Sequence, residues 1–440
     1  MSKDLKKQLK ERNIFRDMNT GYSLLETFVG AGGSHIGFMK ENFRSLYVND
    51  FVKECLQTLE YNNSNLKEEG TVFDNTPIEE IDSHQLINQL QLQTKELDVM
   101  FGGVVCKGFS LAGERSPNDI RNTLYRKQLE LVKEFLPKIS IVENVPGIVN
   151  SKILDPNTPE TIKTEVDDLW LRLERYKGKK ASLRKRNGIT DDFLEYGKEL
   201  RKEKENMLLK LNQDGYLVSV LEDLTNIYND LGYKVQHKVL NAAWYGAATK
   251  RERVIIVAIR EDIQDDFEFP KPEFMSKEIF KKWMPQEYLN LPNPKTVNDA
   301  LDMIDYDNID DVDNLPMKHQ EKTIERFKYI PEGESIADYI DDLPEELKIS
   351  KFYSRGSTMR LAGNKPSPTL VPGHSNFPVH PKEHRSITVR EAATITGFPL
   401  EYKFIGTHSK RCEHVGNAVP PALAQALAKE CNKILDRYYR

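Results

Sequence analysis

The sequence predicts an α/β protein whose main sheet is largely parallel and covered by helices. From residue 22 to residue 149, short apolar runs alternate with amphipathic stretches, which is the pattern of strands joined by crossover helices. Glycine, aspartate or glutamate follows these apolar runs, as at the loop edge of a nucleotide-binding sheet. A chain of 440 residues, 39% of them hydrophobic, can bury one large core and a smaller one.

Each predicted strand is a short apolar run bounded by polar or glycine residues. In chain order the predicted strands are residues 22–28, 46–48, 72–73, 97–101, 139–142, 234–240 and 254–259. The main domain therefore comprises residues 1–149 and 215–307, and the chain returns to it at residues 385–440.

Two regions interrupt this pattern. Residues 150–214 are highly charged with apolar residues at helical spacing, which predicts a helical insertion that is dispensable for chemistry. Glycine and proline punctuate residues 308–384, which indicates a small irregular second domain; the acidic run at residues 302–313 borders it. The insertion is typical of a solvated helical pair, and a DNA- or partner-binding arm is the alternative, because it carries a basic cluster of Lys177, Lys179, Lys180, Arg184, Lys185 and Arg186.

Composition restricts the class of protein. No apolar run approaches the roughly 20 residues that span a bilayer, and residues 1–16 lack the apolar stretch of a signal peptide, so we expect a cytoplasmic protein with no membrane partner. The four cysteines are scattered, which indicates neither a disulfide framework nor a metal site. The net charge of −5 argues weakly against nucleic acid, although a basic cleft can lie on an acidic body.

A glycine-rich run, Phe-Val-Gly-Ala-Gly-Gly-Ser at residues 28–34, follows the first strand and opens a helix. Such a run brings backbone amides close to a ligand, or it is simply a tight turn. Asp50 ends the second strand, where nucleotide-binding folds place an acid on ribose, and Asp74 ends the third, where an acceptor can meet an adenine amino group. Either aspartate alone could be a helix cap, but the series favours a nucleotide-like ligand.

Three further segments carry reactive groups at strand edges. Cys106 follows Gly102-Gly103, Glu143-Asn144 ends a strand, and Arg251 and Arg253 precede the strand at 254–259. Taken singly, the cysteine could be inert core, the glutamate a turn cap and the arginines surface charge. Together, a thiol, a carboxylate and a guanidinium suit covalent attack on a polar ring.

In order and wording these segments resemble the DNA cytosine carbon-5 methyltransferases of bacterial restriction-modification systems. The shared strings are Phe-x-Gly-x-Gly, Gly-Gly-x-x-Cys, Glu-Asn-Val, Arg-x-Arg and Gly-Asn-Ala-Val-Pro-Pro at residues 416–421, with residues 388–393 and 397–399 also matching. The resemblance covers about residues 20–150, 230–310 and 355–430. It implies a Rossmann-like S-adenosylmethionine-dependent methyltransferase sheet with a small target-recognition domain.

The resemblance also implies roles. S-adenosylmethionine would be held by Phe28, Gly30, Gly32, Gly33, Asp50, Asp74 and Asn417. Cys106 would add to carbon 6 of cytosine, Glu143 would serve ring nitrogen 3 and Arg253 ring oxygen 2, since thiolate attack leaves negative charge on the ring. Asn144 would brace the strand end, and Arg251 would orient Glu143 or a phosphate.

The expected partner is double-stranded DNA, with a restriction endonuclease as genetic partner and a nucleoid-associated location. A paired cytosine must be flipped out to reach Cys106. Candidate DNA contacts are Lys107, Ser110 and Arg121 near the predicted catalytic loop, and Arg355 and Arg360 in the small domain. The acidic run at residues 302–313 should face away from DNA.

Several positions depart from the family pattern and leave alternatives open. Val105 and Lys107 replace the usual proline and glutamine around the cysteine, Ala248-Thr249 replaces Pro-Gln, and Thr396 replaces a glutamine. A transfer-RNA cytosine methyltransferase and a non-catalytic DNA-binding relative are therefore alternatives. A nicotinamide dehydrogenase on the same sheet explains neither Cys106 nor the string at 416–421.

Overall fold

A seven-stranded sheet lies at the centre of the computed structural model, which describes residues 21–104, 116–186, 188–349, 358–373 and 376–440, without the side chains of residues 120, 121 and 185. The strands are β1 (Tyr22–Thr27), β2 (Phe43–Asn49), β3 (Val72–Asp74), β4 (Val99–Gly102), β5 (Ile139–Asn144), β8 (Tyr233–Asn241) and β9 (Glu252–Arg260), with β6 (Lys152–Leu154) and β7 (Leu217–Ser219) forming a separate pair. The seven strands predicted from sequence are all present, with ends shifted by at most three residues.

The helices follow the sequence pattern of apolar residues at helical spacing. They are α1 (Gly33–Lys40), α2 (Lys53–Asn62), α3 (Ser83–Gln89), α4 (Leu124–Phe135), α5 (Glu160–Lys185), α6 (Asp191–Gln213), α7 (Val220–Asp230), α8 (Val297–Leu301), α9 (Glu321–Lys328), α10 (Val389–Thr396), α11 (His408–Asn417) and α12 (Pro421–Tyr439). Short 3-10 turns occur at Ile78–Glu80, Ile120–Thr123, Pro146–Asn150, Ala242–Tyr245, Gln286–Asn290, Val312–Asn314, Ile336–Asp342 and Glu345–Leu347.

The strand order is β3-β2-β1-β4-β5-β9-β8. Strands β1 to β5 run parallel, whereas β9 runs antiparallel to both β5 and β8. The sequence prediction of a mostly parallel α/β sheet is therefore confirmed. Since the order reverses between β1 and β4, loops at the carboxyl edge of these strands splay apart and leave a crevice for a ligand.

Helices cover both faces of the sheet, which explains why its strands are apolar throughout. On one face α1 and α12 contribute Phe38, Leu423 and Leu427 to a core with β-strand residues such as Ile141 and Val257. On the other face α4 and α7 contribute a second buried cluster that includes Leu129, Val132, Leu224 and Tyr228.

The predicted insertion region folds as a hairpin of two long helices, α5 and α6, on the antiparallel β6–β7 pair. It has a buried cluster of its own, in which Leu154, Val166, Trp170 and Leu200 pack together. The hairpin is therefore more than a pair of solvated helices, although its basic residues Lys177, Lys179, Arg184 and Arg186 are exposed.

The acidic run at residues 302–313 is only partly a surface feature. Asp313 is fully buried and receives hydrogen bonds from Phe404 N at 3.0 Å and Arg411 Nη1 at 2.8 Å. Asp311 Oδ2 lies 2.6 Å from Nε of the buried Arg390. The inner end of this run thus links the segment before the small domain to α10 and α11 through buried ion pairs.

Candidate active site

Strand direction brings the predicted reactive segments to one edge of the sheet. Parallel strands β4 and β5 end at this edge, and the antiparallel β9 begins there, with Asn144 paired with Val254 in the register. The last residues of β5 therefore lie beside the first residues of β9, although more than a hundred residues of sequence separate them.

Glu143 and Arg253 form an ion pair at this edge. Nε of Arg253 lies 2.6 Å from Oε1 of Glu143, and both side chains are 9% exposed. Arg253 Nη1 also donates to the Glu252 carbonyl at 2.7 Å. A Cβ on Gly103 would lie 3.5 Å from Oε2 of Glu143, so the carboxylate faces the exit of β4. The structure thus brings a carboxylate and a guanidinium together just beside the chain that leads to Cys106.

Arg251 lies deeper than the sequence suggests. Its side chain is buried, Nη1 donates to the Leu370 carbonyl at 3.2 Å, and Nε has no hydrogen-bond partner among the described residues. Burial lowers the pKa of the Arg251 guanidinium, and the positive charge of Arg253 lowers it further. A phosphate contact is incompatible with this burial, and the observed bond holds residue 370 rather than Glu143. That part of the expectation for Arg251 is therefore wrong.

Asn144 ties the ends of two strands together. Its Oδ1 accepts a hydrogen bond from Val145 N at 2.8 Å, and its Nδ2 lies 3.5 Å from the Val104 carbonyl. Cys106, Lys107 and Ser110 lie outside the described residues, as does the departure at Val105. The described structure therefore ends at Val104, two residues before the predicted nucleophile.

The glycine-rich loop after β1 is held by a buried polar group beneath it. Glu26 is fully buried and accepts hydrogen bonds from Ser34 Oγ at 2.9 Å, while His35 Nδ1 lies 2.7 Å from its other oxygen. These contacts join the end of β1 to the first turn of α1. Because both ends of residues 28–33 are fixed in this way, the loop has a defined shape at the sheet edge.

The loop glycines have different reasons to be glycine. Gly30 has φ +56° and open space where a Cβ would be, so its backbone can be approached by a ligand. A Cβ on Gly32 would lie 2.6 Å from Leu59 Cδ1, and one on Gly33 would lie 2.1 Å from the Val419 carbonyl. Protein packing thus demands Gly32 and Gly33, which corrects the expectation that both are glycine for close approach to the cofactor.

Asp50 shapes the same crevice. Its carboxylate accepts hydrogen bonds from Gly30 N at 2.9 Å and Val52 N at 2.8 Å. Burial raises the pKa of Asp50, opposed by these two backbone amides. The next residue, Phe51, is 58% exposed, which is unusual for a phenylalanine and offers an apolar surface beside the acid. The sequence reasoning missed Phe51, although an aromatic residue directly after a strand-end acid was a usable signal.

Two further predicted cofactor residues lie near the crevice. Phe28, at the end of β1, has the left-handed φ of +52°. Asp74 accepts a hydrogen bond from Tyr47 Oη at 2.7 Å and another from Thr76 N at 2.8 Å. Burial raises the pKa of Tyr47, and this contact raises it further. Both oxygens of Asp74 thus have internal partners, and a ligand would share them.

Residues 416–421 close the crevice from the other end of the chain. Asn417, the last residue of α11, is exposed, and the following Val419 contacts Gly33. Tyr402 Oη donates to the Ala31 carbonyl at 2.7 Å across 371 residues of sequence. The glycine loop and the C-terminal segment therefore build one wall together.

One predicted DNA contact is contradicted. Arg360 is 4% exposed, and its guanidinium donates to the carbonyls of Ile330, His380, Glu383 and Phe327 at 2.6–2.7 Å. A side chain saturated by backbone acceptors holds the small domain together and is not available to a base or a phosphate. Arg355 and the side chain of Arg121 lie outside the described residues.

The departures from the family pattern at Thr249 and Thr396 are filled by local hydrogen bonds. Thr249 Oγ1 donates to the Pro368 carbonyl at 3.2 Å, and Thr396 Oγ1 donates to Ala392 O within α10 at 2.8 Å. Residues 248–250 also pair with Ser367, since Ala248 O accepts from Ser367 N and Lys250 N donates to Ser367 O. The segment carrying the two arginines is thus fastened to residues 367–370.

No helix among the described residues is long and apolar enough to cross a membrane. Within the same residues, no three histidine, cysteine or carboxylate side chains are grouped so that they could hold a metal ion.

The sheet order and the groups at its carboxyl edge define the Rossmann-like fold of methyltransferases. The family model for the C-5 cytosine-specific DNA methylase matches residues 22–169 and 198–433. The chain belongs to this family. The model passes over residues 170–197, which form the outer part of the α5–α6 hairpin.

Curated relatives agree with the family. Type II methyltransferase M.Eco47II of Escherichia coli is 27% identical over 428 residues, which cover 95% of this chain and 81% of that protein. Type II methyltransferase M.PspPI of Psychrobacter sp. (strain TA137) is 28% identical over 94% of this chain and 80% of its own length. For M.MthTI of Methanothermobacter thermautotrophicus the values are 28%, 93% and 96%.

Solved structures show the same fold. A crystal structure described as a prophage-encoded DNA modification methyltransferase from E. coli superposes with a TM-score of 0.60 at 19% identity, covering 94% of this chain and all of that one. A mutant of Spodoptera frugiperda DNMT2 gives a TM-score of 0.51 at 13% identity over 94% of this chain and all of its own. At these identities the likeness concerns the fold alone.

Proposed function

We propose that this C-5 cytosine-specific methylase acts on double-stranded DNA through a covalent adduct between Cys106 and a flipped-out cytosine. The observation that carries this proposal is the Glu143–Arg253 pair at the edge where β4 leads to Cys106. A carboxyl group and a guanidinium side by side match the two polar positions of a cytosine ring, nitrogen 3 and oxygen 2.

The described residues fit the methyl donor S-adenosylmethionine. Gly30 leaves open space at its Cα, Asp50 lies beside it as a buried acceptor, and Phe51 presents an exposed ring. A charged acceptor next to an aromatic surface suits a ribose and an adenine, respectively. Phe28 and Asn417 border the same crevice, and Asp74 would serve the adenine amino group. When bound there, S-adenosylmethionine supplies an electrophilic methyl group.

The chain's own residues would then perform the activation. The Cys106 thiolate adds to carbon 6, and the electron pair moves onto the ring, which makes carbon 5 nucleophilic. Glu143 shares a proton with nitrogen 3, and Arg253 donates to oxygen 2, so that the negative charge on the ring is stabilised. After methylation, loss of the proton from carbon 5 returns an electron pair to the ring and releases the cysteine.

We infer a type II restriction-modification setting from the curated relatives, each of which is a type II methyltransferase. A cognate endonuclease gene and a nucleoid-associated location in the cytoplasm follow from this setting. Lys107, Ser110, Arg121 and Arg355 stay candidates for contacts to the DNA.

The test is to express the protein in a host lacking cytosine methylation and to sequence 5-methylcytosine in the host DNA. We expect methylation at one short sequence, and none with Cys106→Ala. Methylation confined to transfer RNA would favour the RNA alternative, and its absence from both nucleic acids, with DNA binding intact, would favour a non-catalytic relative.

A further inference from the structure

The root of the helical insertion contacts the chain that follows the predicted catalytic loop. Asn118 Nδ2 lies 3.0 and 2.9 Å from the two carboxylate oxygens of Asp167 on α5. Leu154 N, on β6, donates to the Pro117 carbonyl at 2.9 Å. Residues 117 and 118 are therefore held by the insertion.

The chain beyond this contact is fixed to the main domain. Asn122 is 3% exposed, and its Nδ2 donates to the Ser116 carbonyl at 3.0 Å. In the first turn of α4, Arg126 makes a two-pronged contact with Asp223 on α7 at 3.0 and 2.6 Å. Residues 116–118 thus connect a rigid helix on one side to the segment that carries Cys106 on the other.

The segment that contains Cys106 is held at both ends by different parts of the fold. Val104 meets Asn144 at the end of β5, and Asn118 meets Asp167 on the insertion. Fixing the ends of a short chain segment reduces the number of positions that its residues can sample. The position of Asn118 therefore restricts where the Cys106 thiol can be presented.

We propose that Asp167 is a positioning residue for the methyl transfer, acting through Asn118 on the placement of Cys106. The inference rests on the proposed function, in which Cys106 is the nucleophile. It runs counter to the expectation from sequence that the insertion is dispensable for chemistry. A small displacement of a reacting atom costs far more rate than stability, since reaction requires near-contact geometry.

The neighbouring Asp168 provides a matched control. It is on the same helix and equally acidic, but it pairs with Arg172 within α5 at 3.1 Å and, among the described residues, does not touch residues 116–118. Asp168 is 66% exposed, so its removal should be tolerated. A rate defect specific to Asp167 would therefore report the contact with Asn118.

The experiment uses the full chain and a duplex that carries the methylated site mapped in the expressing host, with 5-fluorocytosine at the target. The rate of covalent adduct formation is measured in a single turnover at saturating DNA and S-adenosylmethionine, together with the Kd for DNA. We expect Asp167→Ala to slow the adduct about three- to tenfold at unchanged Kd, the range of one hydrogen bond to a charged group. Asp168→Ala should match wild type.

A paired exchange, Asn118→Asp with Asp167→Asn, rebuilds the amide–carboxylate contact in reverse and should restore the rate to within about twofold. An unchanged rate in Asp167→Ala, an equal decrease in Asp168→Ala, or an effect seen only in Kd would each overturn the inference. No adduct with wild type would instead overturn the proposed function.

Discussion

Arg253 reaches from the start of β9 to Glu143 at the end of β5, and Nε and Oε1 are 2.6 Å apart. The pair exists because β9 is the antiparallel member of an otherwise parallel neighbourhood, so that its first residues meet the last residues of β5. A parallel β9 would have placed Arg253 at the opposite edge.

Replacement of Glu143 by glutamine should remove turnover while preserving the shape of the edge. The amide can still accept from Arg253, but it cannot exchange a proton with ring nitrogen 3, so we expect methylation to fall by about 100-fold or more. Single-turnover methylation of duplex DNA measures this. The control is Glu252→Gln, which alters a carboxylate paired with Lys281 at the same edge and should retain most of the rate. Comparable decreases in both variants would argue against a role for Glu143 in the chemistry.

Cys106→Ser should abolish turnover and leave DNA binding intact, because a hydroxyl is a much weaker nucleophile than a thiolate. Duplex DNA with 5-fluorocytosine should trap the wild type covalently, since fluorine cannot leave as a proton does, and this trapping is visible on a denaturing gel. Cys431→Ala offers a comparison, because Cys431 is buried in α12 and burial raises the pKa of its thiol. Trapping by Cys106→Ser would contradict the assignment of the nucleophile.

Asp50→Ala should weaken S-adenosylmethionine binding by about 1–3 kcal/mol, the contribution of hydrogen bonds to a charged acceptor. Asp50→Asn should lose less, since its amide oxygen can still accept from Gly30 N or Val52 N. Titration calorimetry with S-adenosylmethionine distinguishes the two variants, and DNA affinity without the cofactor should not change. Equal affinity in all three proteins would place the ribose contact elsewhere.

The basic cluster near the end of α5 should act, if it meets DNA, through phosphates alone. Neutralising Lys177, Lys179, Arg184 and Arg186 should flatten the log–log salt dependence of DNA binding by about 0.9 for each phosphate whose neutralising cation is removed, with sequence preference unchanged. Lys198→Gln is the control, because Lys198 already pairs with Glu195. A salt slope equal to that of wild type would mean that the cluster stays in solvent.

His414 should make the protein sensitive to mild acid. The ring is 4% exposed, neither nitrogen has a hydrogen-bond partner among the described residues, and burial lowers its pKa from 6.5 to about 4. Below pH 6.5 the unfolded chain takes up a proton that the folded protein refuses, so stability is full above that pH and falls as the pH drops toward 4, by about 3 kcal/mol.

Urea unfolding between pH 7 and pH 4 measures this dependence. His414→Gln should flatten the curve, whereas substitution of the exposed His237 should not. A wild-type stability that stays level over this range would contradict the prediction.

Local patterns made most of the fold and the reactive edge predictable. A run such as residues 139–144 states its own strand and the polar groups that end it, and the seven strands follow from such runs. Burial of a charged side chain is different, because it depends on partners distant in the sequence. Arg360 looked available for DNA, yet its acceptors are backbone carbonyls of residues 327–383, and carbonyls leave no mark in a sequence.

The same reasoning explains the misjudged insertion. Asp167 and Asn118 are 49 residues apart, and each is an ordinary polar residue in its own surroundings. Gly32 and Gly33 were recognised as special, but the reason lies in Leu59 and Val419, which only the folded chain brings near.

The wall formed by Tyr402 and Ala31, 371 residues apart, also bears on how the protein is made. During synthesis the glycine loop leaves the ribosome early, whereas its covering segment is among the last parts to appear, and contacts this distant in sequence form slowly. A nascent chain cannot assemble the crevice. Methylating capacity would thus begin only after translation has passed residue 421, and a ribosome that stops earlier would release an inactive fragment.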